Sequence, residues 1–265
     1  MQAKTKELII QWFSKLFTDF QVELIDKQTD VFEQLINSID FKEQDLVSKV
    51  LSLLCMLSQK NEKYLRKIIS KLIERFQNNV SDIKQDKINQ VISVLCSSIQ
   101  SERVFLEFAR ILHETTAVYQ EQPGQTTFST DIRFAQDLIE TLTITVASNP
   151  MYEGFRNKLK GKKATQFVAS KEELFFTLYR TWCLSPVATL TLCLLARNYE
   201  LAYNLIPRFT MVRLDTTRLI QLGNLVQLIE SPSFTSKLSH IEKWIDLRIE
   251  LMRQDRQTQF LLKTL

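Results

Sequence analysis

The stretch YLRKIISKLIERF at residues 64–76 decides the fold. Seven apolar residues recur in it three and four positions apart: Tyr64, Leu65, Ile68, Ile69, Leu72, Ile73 and Phe76. Charged residues and one serine fill the remaining positions, so that one side of a helix is apolar and the other is polar. This pattern is typical of an amphipathic α-helix that buries one broad face against its neighbours.

The same rhythm lies on both sides of this stretch, at residues 46–57 and 88–99. Short polar segments separate the three apolar stripes, and helices joined by such short links pack antiparallel. The chain also has only 4 glycines among 265 residues, against a usual share of about 7%. Since β-hairpins, βα turns and phosphate loops draw on glycine, we predict an all-α fold: a HEAT/armadillo-like α-solenoid of stacked antiparallel helices.

Helix starts are clearest in the second half of the chain. A capping side chain stands directly before a proline three times: Asn149-Pro150, Ser185-Pro186 and Ser231-Pro232. The cap accepts a hydrogen bond from a free backbone N–H, and proline at the first helical position loses only a donor without a partner. The segment SKEE at residues 170–173 has the pattern of a capping box. Repeated starts of this kind are what stacked helix pairs would show.

Two breaks organise the chain, a loop predicted at residues 120–130 and a second at 161–170. The first separates an N-terminal helical array, residues 1–120, from a C-terminal helical region, residues 131–234. We expect the two to share a continuous core. Residues 235–265 are predicted to form an amphipathic helical tail, and its apolar stripe is a candidate self-association surface or packs on the chain's own core: Ile241, Trp244, Ile245, Ile249 and Met252.

Nothing in the sequence indicates catalysis. The two histidines, His113 and His240, are far apart and lie in no metal-binding spacing, and no phosphate loop or nucleophile motif occurs. We therefore expect no enzyme activity, no cofactor and no metal. Four cysteines stand in apolar runs and are interpreted as core residues of a cytoplasmic protein: Cys55, Cys96, Cys183 and Cys193. No stretch approaches the length of a membrane span, and a net charge of +4 spread along the chain does not favour nucleic-acid binding.

Two segments are candidate binding surfaces. A basic run is a candidate contact for an acidic surface, although it is also what a solvated helix end looks like: Arg156, Lys158, Lys160, Lys162 and Lys163. An aromatic segment surrounds an apolar run at residues 186–196, which we predict to be a buried central helix. The arginine, tryptophan and tyrosine residues at its approaches are candidate partner-binding residues, or they close the core: Arg180, Trp182, Arg197, Tyr199 and Tyr203.

Four stretches, in order, resemble one family: SERVFLEFARIL at 101–112, FAQDLIETLTITVASNPMYEGFRNKLK at 134–160, ELFFTLYRTWCLSPVATLTLCLLARNYELAYNLI at 173–206 and LVQLIESPSF at 225–234. The chain is similar here to the C-terminal region of the vacuole-morphology scaffold, the Vac-fourteen family. The most specific part is L-Y-R-x-W-C-x-x-P-V-A-T at residues 178–189. After residue 234 the chain becomes more charged and the resemblance stops.

The resemblance implies a HEAT-type solenoid that self-associates and acts as a scaffold. In that family the scaffold holds a phosphatidylinositol 3-phosphate 5-kinase and a Sac-type phosphoinositide 5-phosphatase, and the C-terminal region binds the phosphatase. This implies a peripheral protein of the vacuolar or late-endosomal membrane that regulates phosphatidylinositol 3,5-bisphosphate turnover. An alternative is an α-solenoid transport adaptor that binds linear motifs on cargo, for which a ladder of tryptophans and asparagines would be needed.

Overall fold

The computed structural model describes residues 8–15, 34–37, 44–59, 62–78, 85–120, 127–160 and 169–209. Within these ranges every regular element is helical, which confirms the all-α, solenoid-like fold predicted from the sequence. Residues 8–15 and 34–37 are helical, and the longer elements are α1 (Gln44–Ser58), α2 (Glu62–Asn78), α3 (Gln85–Ser98), α4 (Ser101–Gln120), α5 (Thr127–Ser148), a 3-10 helix (Pro150–Tyr152), α6 (Glu153–Leu159), α7 (Ala169–Trp182), α8 (Pro186–Leu195) and α9 (Tyr199–Phe209). The chain divides into two compact units, Met1–Phe134 and Ala135–Leu265.

The first unit is a two-layered stack of helix pairs. Helices α1 and α2 form one pair and α3 and α4 the next, and α1 packs against α3 while α2 packs against α4. Contacts between every second helix are what stacked HEAT-type repeats produce, because each layer buries the apolar stripe of its neighbour. The stretch that decides the fold supplies seven buried side chains of α2: Tyr64, Leu65, Ile68, Ile69, Leu72, Ile73 and Phe76.

Polar side chains join the stacked pairs at their surface. The Gln59 amide donates to the Ser98 carbonyl over 2.8 Å, which connects the ends of α1 and α3. Arg66 of α2 pairs with two carboxylates of α4, Glu107 at 3.3 Å and Glu114. Glu107 also receives Arg110 at 3.4 Å. Arg66, Arg110 and Glu114 are about half exposed, so these bridges contribute less to stability than the apolar core beneath them.

The second unit is arranged around α8. Helix α7 packs against α6 and α8, and α8 packs in turn against α9. From Ala188 to Leu195 every residue of α8 is buried, which confirms the central buried helix predicted from its continuous apolar run. No helix within the described ranges is long and apolar enough to cross a membrane.

Three sequence-based boundaries need correction. Helix α4 extends to Gln120 and α5 already begins at Thr127, so both ends of the predicted 120–130 loop are helical. Helix α7 begins at Ala169, which places Ser170 inside its first turn and not at its N-cap. Polar Thr and Ser residues favour the first turn of a helix as well as loops, so composition alone did not separate the two. The predicted division into residues 1–120, 131–234 and 235–265 and the shared core stay predictions.

Candidate partner-binding site

The turn between α7 and α8 is fixed by a capping serine. Ser185 has extended backbone angles, φ −120° and ψ 120°, and its Oγ accepts a hydrogen bond from the Ala188 N–H over 3.3 Å. The same hydroxyl donates to Oε1 of Glu140 on α5 over 2.6 Å. Pro186 occupies the first helical position, so the predicted start of this helix is confirmed. The carboxylate of Glu140 lies near a helix N-terminus, where the helix dipole stabilises negative charge.

Trp182 belongs to the same buried network. It is 3% exposed, and its indole N–H donates to Thr143 Oγ1 over 2.7 Å. Thr189 Oγ1 donates to the carbonyls of Trp182 and Ser185, both over 2.7 Å. Trp182 is therefore not available on a partner surface, which corrects its place among the candidate partner-binding residues. The family-like motif at residues 178–189 is in large part a structural corner that joins α5, α7 and α8.

The opposite side of α7 carries exposed residues. Arg180 is exposed, and Phe176, one turn earlier, is 55% exposed. The Phe175 ring stacks on Tyr179 with centroids 5.6 Å apart and packs edge-on against Phe176 at 5.8 Å. Sequence reasoning named Arg180 as a candidate but missed Phe176, although the buried stripe Leu174–Leu178–Trp182 leaves both on the other side of a helix.

Cys183 follows this helix and is exposed, so the prediction that it lies in the core is wrong. It comes after the last residue of α7, where the chain turns at the surface. Partial burial still raises the pKa of its thiol, and a hydrogen bond with the Tyr179 side chain opposes that shift. Cys55, Cys96 and Cys193 are buried as predicted.

Helix α8 ends in a tight cap with arginine in the place usually taken by glycine. Arg197 has φ 59°, the left-handed region that side chains rarely adopt. Its N–H donates to the Leu194 carbonyl over 3.0 Å, and the Asn198 N–H donates to the Cys193 carbonyl over 2.8 Å. This is the bonding of a Schellman motif, in which the left-handed residue is commonly glycine. A non-glycine residue there costs roughly 1 kcal/mol.

Two tyrosines follow on one side of α9. Tyr199 is half-buried, and burial raises the pKa of its phenol while the positive charge of Arg197 opposes the shift. Tyr203, one turn later, is 47% exposed. The structure thus places Arg197, Tyr199 and Tyr203 around the α8–α9 corner. Neither Arg180 nor Arg197 forms an ion pair with another residue of the described ranges.

The side chains of the basic run differ in their surroundings, since some bond the fold and others are exposed to solvent. Arg156 donates to the carbonyls of Val146 and Asn149, over 2.7 and 2.8 Å, at the C-terminal end of α5. Its guanidinium satisfies carbonyls that the helix leaves open, so Arg156 is not a free contact for an acidic surface. Lys158 is exposed, and Lys160 donates to the Asn157 side chain over 3.0 Å. Lys162 and Lys163 lie outside the described residues.

The other predicted features are placed as follows. The Asn149 side chain accepts from the Met151 N–H over 3.0 Å, which confirms the cap, although the turn that it starts at Pro150 is a 3-10 helix. His113 is exposed on α4.

Within the described ranges no group of three or more His, Cys, Asp or Glu residues could hold a metal ion. The start at Pro232, His240 and the whole self-association stripe lie outside the described residues: Ile241, Trp244, Ile245, Ile249 and Met252.

Comparison with known proteins identifies the family of this chain. Residues 81–265 match the family model described as "Vacuolar protein 14 C-terminal Fig4p binding". The chain belongs to the Vac14 family. The match includes the whole of the second unit and extends past residue 234, where the resemblance seen in the sequence stopped.

Vac14 relatives from three organisms are similar to the chain over most of its length. The vacuole morphology and inheritance protein 14 of Saccharomyces cerevisiae is 27% identical over 249 residues, which cover 93% of this chain and 24% of the yeast protein. The VAC14 homolog of Schizosaccharomyces pombe is 30% identical, covering 88% of this chain and 26% of that protein. The Arabidopsis thaliana homolog is 27% identical, covering 97% and 30%. The chain thus spans 24% to 30% of these relatives' length. No solved structure matches it.

Proposed function

We propose that the chain is the phosphatase-binding part of a non-enzymatic scaffold that regulates phosphatidylinositol 3,5-bisphosphate turnover. The observation that carries the proposal is the match of residues 81–265 to a family whose description names binding of Fig4p. The family resemblance gives the bound protein as a Sac-type phosphoinositide 5-phosphatase. It also gives the second enzyme of the complex, a phosphatidylinositol 3-phosphate 5-kinase, which the whole scaffold would hold beside the phosphatase.

The chemistry of the second unit supports a binding role. Its buried polar side chains act on the fold itself: Ser185 and Glu140 join α8 to α5, and Thr143 receives the indole of Trp182. The exposed Arg180 and Tyr203 and the half-buried Arg197 are of the types that dominate protein–protein interfaces. Such a surface suits a scaffold better than an enzyme.

The transport-adaptor alternative is disfavoured by the position of one tryptophan. A motif-binding groove of that kind would need several tryptophans on one accessible surface. Trp182 is buried and hydrogen-bonded to Thr143, so it cannot belong to such a ladder.

The experiment that tests phosphatase binding is a charge reversal at Arg180 and Arg197. Both arginines lack a described ion-pair partner, and glutamate at residue 197 keeps a non-glycine residue in the left-handed position, so the backbone strain is unchanged. We expect the double variant Arg180→Glu/Arg197→Glu to keep its melting temperature within a few degrees. Its capture of purified Sac-type phosphatase should fall about tenfold or more, as for interface residues of high energetic weight.

The matched control is Lys67→Glu/Arg133→Glu, two exposed basic residues of the first unit. It makes the same change in net charge and should capture phosphatase as well as the unchanged chain does. Equal capture by the Arg180/Arg197 variant would locate the contact elsewhere on the chain. If the variant is unfolded, the two arginines are needed for folding, and the loss of binding is indirect.

Self-association and membrane location are further parts of the proposal. Both are carried by the family resemblance, which implies an oligomeric scaffold held at the vacuolar or late-endosomal membrane through its complex. The tail stripe with Ile241, Trp244 and Ile245 is the proposed contact between copies. Light scattering of the chain over a wide concentration range should show an oligomer, and a monomer throughout would contradict this part.

A further inference from the structure

Helix α7 has two faces of opposite character. Leu174, Leu178 and Trp182 follow one another at every fourth residue and are buried in the second unit. The opposite side, which we name the α7 outer face, consists of Phe175, Phe176, Tyr179, Arg180 and Cys183. Phe176, Arg180 and Cys183 are exposed, and the other two are half-buried.

The rings of the α7 outer face are already ordered against one another. Phe175 stacks on Tyr179 with an interplanar angle of 27° and meets Phe176 edge-on at 72°. A cluster that is fixed before binding loses little side-chain entropy when a partner arrives.

The charge of this face is uncompensated within the described residues. Arg180 forms no ion pair there, whereas Arg66 and Arg110 pair with Glu107, and Arg156 bonds carbonyls of the second unit. A guanidinium binds a carboxylate through two parallel hydrogen bonds. Arg180 lies one helical turn from Phe176, so a ligand can contact both side chains at once. The complementary ligand therefore has an apolar side chain next to a carboxylate.

We propose that the α7 outer face is the surface on which the Sac-type phosphatase docks, through a segment that presents an apolar side chain beside an acidic one. This rests on the proposed function and names its contact residues. The face lies within the matched range, residues 81–265, whereas the exposed Trp12 of the first unit lies outside it.

Two single variants and two controls test the surface. Phe176→Ala and Arg180→Glu should each weaken binding of purified Sac-type phosphatase about tenfold or more, with melting temperatures close to that of the unchanged chain. Ile144→Ala removes an apolar side chain of similar exposure, 48%, from α5, and Arg133→Glu reverses an exposed charge. Both controls should bind as the unchanged chain does.

Cys183 gives a second measurement that needs no substitution on the face. It is exposed, whereas the other three cysteines of the chain are buried, so a maleimide should label it first. Bound phosphatase should slow the labelling of Cys183 severalfold, followed on this chain by mass spectrometry. Unchanged labelling in the complex would overturn the proposal even if a variant failed to fold.

The outcomes separate this proposal from the proposed function. If the unchanged chain binds phosphatase and both face variants bind equally well, the face is not the site, while the proposed function stands. If the unchanged chain does not bind phosphatase, both fail. If the variants lose self-association in light scattering or lose stability, with phosphatase binding intact, then another copy or the chain itself covers the face, which also overturns the proposal.

Discussion

Replacing Ser185 with alanine should destabilise the second unit by more than the loss of a helix cap. The hydroxyl is fully buried at 0% exposure, accepts the Ala188 N–H and donates to Glu140. Loss of an N-cap serine costs about 1 kcal/mol. The carboxylate of Glu140, 8% exposed, also loses a donor at 2.6 Å, and a buried group that loses a hydrogen bond costs roughly a further 1–3 kcal/mol. The expected loss of unfolding free energy is therefore roughly 2–4 kcal/mol.

Urea unfolding followed by far-UV circular dichroism measures this loss. Asn149→Ala is the matched control, because the Asn149 side chain caps a short helix through one hydrogen bond and bonds no carboxylate within the described ranges. It should cost about 1 kcal/mol or less. In a double-mutant cycle, Ser185→Ala should cost less when Glu140 is already glutamine, since the two side chains act on each other. Equal costs for Ser185→Ala and Asn149→Ala, or full additivity in the cycle, would refute the argument.

Three further predictions concern the stability of the fold. Arg197→Gly should raise the unfolding free energy by roughly 1 kcal/mol, because glycine adopts the left-handed backbone without the steric cost that Arg197 has at φ 59°; a loss of stability in the same urea assay would contradict this. Trp182→Phe should lower it by about 1–3 kcal/mol by leaving Thr143 without its indole donor, and an unchanged midpoint would contradict the buried network. Burial raises the pKa of Cys55 and of Cys193 to about 12 from an ordinary value of 9.0, so the folded state holds these protons more strongly. The contribution of the two thiols to stability is constant well below pH 9, and stability should fall as pH rises from 9 towards 12. A rise in stability over that window would contradict this prediction.

The sequence predicts the helices well because their signals are local. The stripe from Tyr64 to Phe76 shows which face of α2 is buried, and Ser185-Pro186 shows where α8 begins. Capping and periodicity depend on residues only a few positions apart, so they can be seen without knowing the tertiary fold.

The candidate site was predicted less well because its side chains depend on distant partners. Trp182 has the composition of an interface residue, yet Thr143, 39 positions away, receives its indole. Arg156 stands in a basic run, but its guanidinium bonds the end of α5. The exposed pair Phe176 and Arg180 was accessible from periodicity, since both lie opposite the buried stripe of α7.

Calorimetric titration of the purified chain with purified Sac-type phosphatase tests the central claim most directly. We expect saturable binding by the unchanged chain and by the control Lys67→Glu/Arg133→Glu. Binding by Arg180→Glu/Arg197→Glu should be about tenfold or more weaker. An absence of binding by the folded, unchanged chain would contradict the account.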